Sequence, residues 1–284
     1  MTVEMEYVVV PKDPLGDFMR IYLAWAKDEE IRRRRAGSGG AVTAFLTYLL
    51  EEGVVDAVLV ARKAEGLKGV IQLAKSREEI LKAAGDKWNV VPYTRELGEV
   101  LRSADVGKVA IVGLPCQAQF LAQMRLMPLM ESDFSEKIKV VISLFCFGTF
   151  ATDAFIAFLE REHGLKPEGV ASILLRGENI VVVSVDGRRV TIPIKEALRY
   201  IQHGCLVCPD YTGIFADLSA GISESHLGKT VLVVRNEETL KMLEDAKAKG
   251  YLGLEPAPPE VFEELEMKAE AKKNRAIRYL SMIV

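Results

Sequence analysis

Cysteine and histidine are scarce in this chain: 284 residues hold four of the first and three of the second. That leaves no cysteines over for a relay of several metal clusters. The histidines, His163, His203 and His226, are not spaced for a catalytic triad. His163 reads as a helix C-terminal residue, and His203 as a neighbour that could tune or replace a ligand. Amides are scarce too. Asn occurs only at 89, 179, 236 and 274 and Gln only at 72, 117, 119, 123 and 202, while Lys, Arg and Glu are plentiful. This is the compositional trend of hyperthermophile proteins. Long hydrophobic runs are missing. The longest, such as Val140 to Phe147, fall far short of the ~20 residues a membrane-spanning helix needs. The start, "MTVEMEYVVVPKDP", lacks the charged and apolar blocks of a signal peptide. A net charge of −3 gives no sign of a nucleic-acid or membrane-surface partner. The expected location is the cytoplasm, without membrane insertion, either free or within a membrane-attached complex. Structural disulfides are uncommon there, so metal or redox use of the cysteines becomes the expectation.

What is present is a strand and helix rhythm. "FMRIYLAWAKDEEIRRRR" has mixed strand and helix character, with Arg32 to Arg35 as a solvated face. "SGGAVTAFLTYLLEEG" reads as a helix with Ser38 near its start and Gly53 as its stop, and "SREEILKAAG" as a second with Ser76 and Glu79 as a capping box. "VVDAVLVAR", "KVAIVG" and "KIKVVISLF" are continuous apolar runs, the pattern of strands buried on both faces. The last two are each followed by a helical stretch, which implies βαβ units. After Gly164 the rhythm shortens, and "DGR" at Asp186 to Arg188 signals a hairpin. The expected fold is α/β (α+β): a mostly parallel sheet with flanking helices, a smaller β-rich segment and a C-terminal helical tail. The parts are drawn as 1–164, 165–255 and 256–284, within one compact domain overall. The tail, "EVFEELEMKAEAKKNRAIRYL", reads as a solvated helix or as a docking arm for another subunit. On the second reading its deletion would weaken partner binding and leave chemistry within the chain intact.

The cysteines fall into a pattern. Cys116, in "GLPCQ", and Cys146, in "LFCFG", each follow a predicted parallel strand. In open α/β sheets, ligands bind beyond the carboxyl ends of the strands. Cys205 and Cys208 share one C-x-x-C in "HGCLVCPD", and could complete a set of four. Four thiolates suit either zinc or an iron–sulfur cluster, although structural zinc more often uses two such knuckles. No thioredoxin-like βαβ context surrounds the C-x-x-C. "GSGGAVTA", Gly37 to Ala44, opens a helix with glycines and so offers free backbone N–H groups for a phosphate. It lacks both the dinucleotide fingerprint and the P-loop lysine. "AAGDKWN", Ala83 to Asn89, is a helix terminus or a second anion contact.

Taken in order, "YLAWAKDEEI", "GSGGAVTAFLTYLLEEGVVDAVLVA", "KAAGDKWNVVP", "VGLPCQAQFLAQMR", "LFCFGTF", "GCLVCPDYTGIFADLSAG" and "GKTVLVVRN" resemble the beta subunit of coenzyme F420-reducing hydrogenase and its relatives in formate dehydrogenases. The match runs from about Tyr22 to Asn236. The resemblance implies an oxidoreductase subunit carrying FAD and one 4Fe–4S cluster, active within its complex. It implies Cys116, Cys146, Cys205 and Cys208 as cluster ligands, Gly39, Gly40 and Thr43 against the FAD, and Gly85 and Lys87 near its pyrophosphate or ribose side. The implied partners are hydrogenase or formate dehydrogenase catalytic and small iron–sulfur subunits, together with a soluble hydride carrier, coenzyme F420 or NAD(P). The loop Gly204 to Gly213 is the expected docking point. The extra ferredoxin-like segment of many relatives is absent, and "ISESHLGKT" departs from the family pattern where the carrier would bind. Apart from the resemblance, a structural subunit stabilised by zinc on the four cysteines stands as the reading of another class.

Overall fold

The computed structural model describes residues 13–34, 38–64, 67–85, 91, 93–126 and 133–283. The mixed first stretch resolves into β1 (Arg20–Ala26) and a short α1 (Glu29–Arg34), with Arg32 and Arg33 exposed as expected and Arg35 outside the described residues. Next come α2 (Ala41–Glu51), β2 (Ala57–Lys63), β3 (Gly69–Ala74), α3 (Arg77–Ala83) and α4 (Tyr93–Ser103). The two predicted strand–helix pairs follow as β4 (Val109–Gly113) with α5 (Pro115–Leu126), and β5 (Ile138–Leu144) with α6 (Thr152–His163). The short-strand region holds β6 (Val170–Arg176), β7 (Asn179–Ser184) and β8 (Arg189–Pro193), then the one-turn helices α7 (Ile194–Ala197) and α8 (His203–Leu206). The chain closes with β9 (Leu218–Ile222), β10 (Thr230–Val234), α9 (Glu237–Ala248), β11 (Leu252–Pro256) and α10 (Pro259–Ile283).

Eight strands form one sheet in the order β11-β1-β10-β9-β5-β4-β2-β3. The middle four, β2, β4, β5 and β9, pair in parallel, as the strand–helix alternation predicts. The flanks are antiparallel: β3 on β2 at one side, and β10, β1 and β11 at the other. Side chains alternate across the sheet. Val140 and Ile142 face α2, α3 and α9 in one core, while Val141 faces α4 and α5 in another. On that second side, Leu23, Val231 and Val233 meet Val261, Leu265 and Ala269 of α10. Burial on both faces is why the strands read as continuous apolar runs.

The smaller sheet, β6-β7-β8, is antiparallel, and the Asp186 to Arg188 hairpin sits between β7 and β8 as expected. Its core takes in Phe150 and α6 (Phe155, Phe158, Leu159) as well, upstream of the change in rhythm at Gly164. His163 ends α6 and packs edge-on against Phe158. Ser76 caps α3 by accepting from the Glu79 N–H at 3.3 Å, but the Glu79 carboxylate reaches the N–H of Lys75 rather than that of Ser76. α2 begins later than expected, at Ala41. Gly40 is its N-cap, with no side-chain cap, and Ser38 lies outside the helix.

Candidate functional site

Parallel pairing puts the carboxyl ends of β4 and β5 at one edge of the sheet. Cys116 follows β4 in the first turn of α5, and Cys146 follows β5. The chain then leaves for the smaller sheet and returns. Phe150 and Ile201 bridge antiparallel at the neck, the Gln202 N–H donates to the Thr149 carbonyl at 2.9 Å, and the Ala151 N–H to that of Tyr200 at 2.8 Å. This neck brings α8 and its Cys205 back beside the segment that left through Cys146. Gly148 makes the close approach feasible. Its φ is +154°, and a Cβ there would stand 2.6 Å from Ile201 and 3.4 Å from the Cβ of Cys205. Thr149 donates its N–H to the Cys205 sulfur at 3.4 Å, and Cys208 donates its thiol to the Asp210 carbonyl at 3.8 Å. The following turn is held by the buried Asp210 carboxylate, which accepts from the N–H groups of Gly213 and Ile214, and its Gly213 packs on Ser143, where a Cβ would clash with the hydroxyl oxygen.

All four cysteines are free thiols within electrostatic reach of one another. Burial pushes the Cys146 thiol up to about 12, against the pull of Lys272. Burial also raises Cys116, with Cys208 and Cys205 adding to it, even though its side chain reaches the surface. Ligation of a metal by Cys146 or Cys116 must therefore release the proton that burial favours. Among the described residues, no three His, Cys, Asp or Glu side chains converge closely enough to hold one metal ion. A single zinc needs its sulfurs about 2.3 Å from one point. An iron–sulfur cluster keeps its thiolates farther apart, because its own atoms stand between them. His203 is exposed at the start of α8.

The C-terminal helix forms as expected, but the sequence reading did not foresee that it lies over the cysteines. α10 keeps one face in solvent and packs the other on the sheet. Val261, Leu265, Ala269, Lys272 and Ala276 form its buried stripe. Lys272, 4% exposed, donates to the carbonyls of Cys146 (2.7 Å) and Asp210 (2.6 Å). One turn on, Arg275 donates to the carbonyls of Phe147 (2.7 Å) and Cys205 (3.1 Å), with its guanidinium over the Phe147 ring. A lysine interrupting an otherwise apolar helical stripe was the signal in the sequence. Nearer its start, α10 fastens the loop after β9. Glu264 accepts from the N–H of Glu224 (2.9 Å) and the hydroxyls of Ser223 (2.5 Å) and Ser225 (3.0 Å), and pairs with Lys268 (2.6 Å). Partial burial works to raise the Glu264 carboxyl, but these donors outweigh it and hold the group down to about 2. A depressed carboxylate stabilises the fold above its ordinary value of 4.5, and that stability is lost as pH falls towards about 2. The Tm gap between wild type and Glu264→Gln should therefore be full at neutral pH and should shrink below about pH 4.5. A gap that stays constant with pH would show that the charge is not what fastens the loop.

The glycine loop reaches the same sheet edge. The Ala26 N–H donates to the Gly39 carbonyl at 2.8 Å, and the Thr230 hydroxyl donates to that of Ser38. The N-terminus of α2 therefore lies by the end of β1. Gly39 and Gly40 are buried with φ of +68° and +71°. A Cβ on Gly39 would stand 2.8 Å from the Gly228 carbonyl oxygen, and one on Gly40 2.6 Å from Ile31. The protein's own packing thus already demands glycine at both positions. Gly40→Val is expected to cost stability directly, by about 1–3 kcal/mol for the backbone alone, visible as a lower Tm. It cannot separate flavin contact from folding. Thr43→Val, at a buried position inside α2, changes only a hydroxyl and makes the better probe. Gly85 is exposed just past α3, and Lys87 lies outside the described residues.

With this geometry in place, the comparisons agree with one another. The family described as coenzyme F420 hydrogenase/dehydrogenase, beta subunit, matches through its N-terminal part at residues 21–97 and its C-terminal part at residues 106–260. The chain is 30% identical to the coenzyme F420 hydrogenase subunit beta of Methanosarcina barkeri, over 86% of this chain and 84% of that one. It is 29% identical to the same subunit of Methanothermobacter thermautotrophicus, over 93% and 96%. Among solved structures, a chain of the F420-reducing NiFe hydrogenase complex from Methanosarcina barkeri superposes with a TM-score of 0.89 at 28% identity, covering 95% of this chain and 93% of the other. No helix among the described residues is long and apolar enough to cross a membrane.

Proposed function

Because the chain belongs to the coenzyme F420 hydrogenase/dehydrogenase beta-subunit family, we propose that it is the electron gate of an oxidoreductase complex, holding one 4Fe–4S cluster and FAD. Its partners are the catalytic and small iron–sulfur subunits of a hydrogenase or formate dehydrogenase on one side, and coenzyme F420 as the two-electron carrier on the other. When bound, the cluster handles single electrons and the flavin pairs them for hydride transfer, chemistry that belongs to the cofactors. Cys116, Cys146, Cys205 and Cys208 hold the cluster. The uncapped start of α2, Gly39 to Thr43, lies at the same sheet edge and offers its N–H groups to the flavin's phosphates. Gly85 and Lys87 complete the flavin site.

The observation that carries this reading is the donor set. Four thiols from distant parts of the chain lie within electrostatic reach of one another, beside a buried lysine and an arginine. Two of that arginine's buried nitrogens, Nε and Nη1 of Arg275, have no hydrogen-bond partner among the described residues. Buried cations call for an anion, and a thiolate-bound cluster is one. Anaerobic purification tests the reading. The expected product is brown-yellow, with iron and sulfide in equal amounts and FAD extractable by denaturation. A colourless chain with one zinc and no flavin would replace it with the structural-subunit reading. The chain alone is expected to reduce a dye with reduced carrier, yet to show no turnover with hydrogen or formate.

A further inference from the structure

Two cations lie beside the four thiols, and among the described residues no carboxylate pairs with either. The Lys272 ammonium donates to the carbonyls of Cys146 and Asp210, and among the described residues no carboxylate forms an ion pair with it. Arg275 bonds two carbonyls through Nη2, leaving Nε and Nη1 buried with no hydrogen-bond partner among the described residues. The nearby acidic groups are engaged elsewhere. Asp210 turns its carboxylate to Gly213 and Ile214, Glu264 serves Lys268 and the Ser223 to Ser225 loop, and Glu270 pairs with Lys273. Both cations project from consecutive turns of one helix whose stripe is packed on the sheet, so their positions are set by the backbone rather than by flexible loops.

We infer that Lys272 and Arg275 are positioning residues for electron transfer, two fixed positive charges that hold up the reduction potential of the group bound by the four cysteines. The inference rests on the proposed cluster. Reduction adds one electron, and so one negative charge, to the bound group. A nearby cation stabilises that added charge, and does so more strongly in a poorly solvated site than in water. Cluster potentials respond to net charge, to hydrogen bonds on the sulfurs and to solvent exposure. Arg275 interacts electrostatically with Cys205, Cys208 and Cys146, and Lys272 with Cys146 and Cys116, so together they reach all four ligands.

The test is a redox titration of the anaerobically purified chain, followed by electron paramagnetic resonance. Lys272→Gln keeps donors for the two carbonyls and removes the charge, and Arg275→Gln does the same at the second position. Each is expected to retain iron and sulfide but to lower the reduced-to-oxidised ratio at a fixed potential at least tenfold, ~59 mV for a one-electron couple. Lys272→Arg, which keeps the charge, should stay near wild type. Wild-type potentials in cluster-loaded Gln variants would overturn the inference while leaving the cluster reading intact. If Lys272→Gln does not load, the half-buried Arg275→Gln decides alone, and an unchanged potential there overturns the inference. A wild-type chain without iron and sulfide would overturn the cluster reading itself.

Discussion

Cys146→Ala is expected to abolish cluster binding, with iron and sulfide falling together to background. Carrier-dependent dye reduction should drop by more than the roughly 10–100-fold that the loss of an outer partner costs a metal site. Cys146 is the most enclosed of the four thiols, and its backbone is fixed from three sides. Its N–H donates to Tyr211, its carbonyl accepts from Lys272, and the preceding Phe145 N–H donates to Ala220. Alanine fits the same backbone, so the chain should still fold and the loss should be one of ligation alone. Cys116→Ala, Cys205→Ala and Cys208→Ala should behave alike if the four act as a set. Iron retained at wild-type level in any one variant would remove that residue from the ligand list.

Ending the chain at Pro258, before α10, should remove the cluster and destabilise the large sheet together. This expectation reverses the one drawn from the sequence, in which the tail could be lost without harm to the site. Val261 and Leu265 cover Leu23, Val231 and Val233, and each buried aliphatic side chain contributes about 1.5–3 kcal/mol. Against a total stability of about 5–15 kcal/mol, losing the whole stripe is severe. A single substitution, Leu265→Ala, is expected to cost about 2–5 kcal/mol, measured by denaturant titration. Truncation also frees the carbonyls of Cys146, Phe147, Cys205 and Asp210 that Lys272 and Arg275 hold. A truncated chain with wild-type Tm and full iron content would return α10 to the role of a detachable arm.

Much of the sheet was legible because its physics is local. Val109 to Gly113 and Ile138 to Leu144 are strands buried on both faces, and each is followed at once by its helix. Such runs announce parallel pairing and a ligand-binding edge, so the placement of Cys116 and Cys146 at one edge could be read in advance. The antiparallel flanks could not. β1 pairs with β10 and β11, every partner more than 200 residues away in the chain (Arg20 with Val234, for example). No local pattern records which distant strand lies alongside. The glycines of the α2 turn were noticed as a helix opening, but their positive φ and their packing against Gly228 and Ile31 account for them without a ligand.

By itself the sequence determined the number of thiols, the pairing of two of them in C-x-x-C, the strand-end positions of the other two, and the family resemblance. These depend on residue identity and short-range periodicity. The tertiary structure decided how the four are brought near one another. Cys205 returns to Cys146 only because Phe150 and Ile201 pair at the neck of the smaller sheet. Lys272 meets the site only because an apolar stripe docks α10 across β1 and β10. Contacts of this kind join residues 51 to 126 positions apart. Their stability comes from burial and loop closure across the whole fold, and a single stretch of chain carries no trace of either.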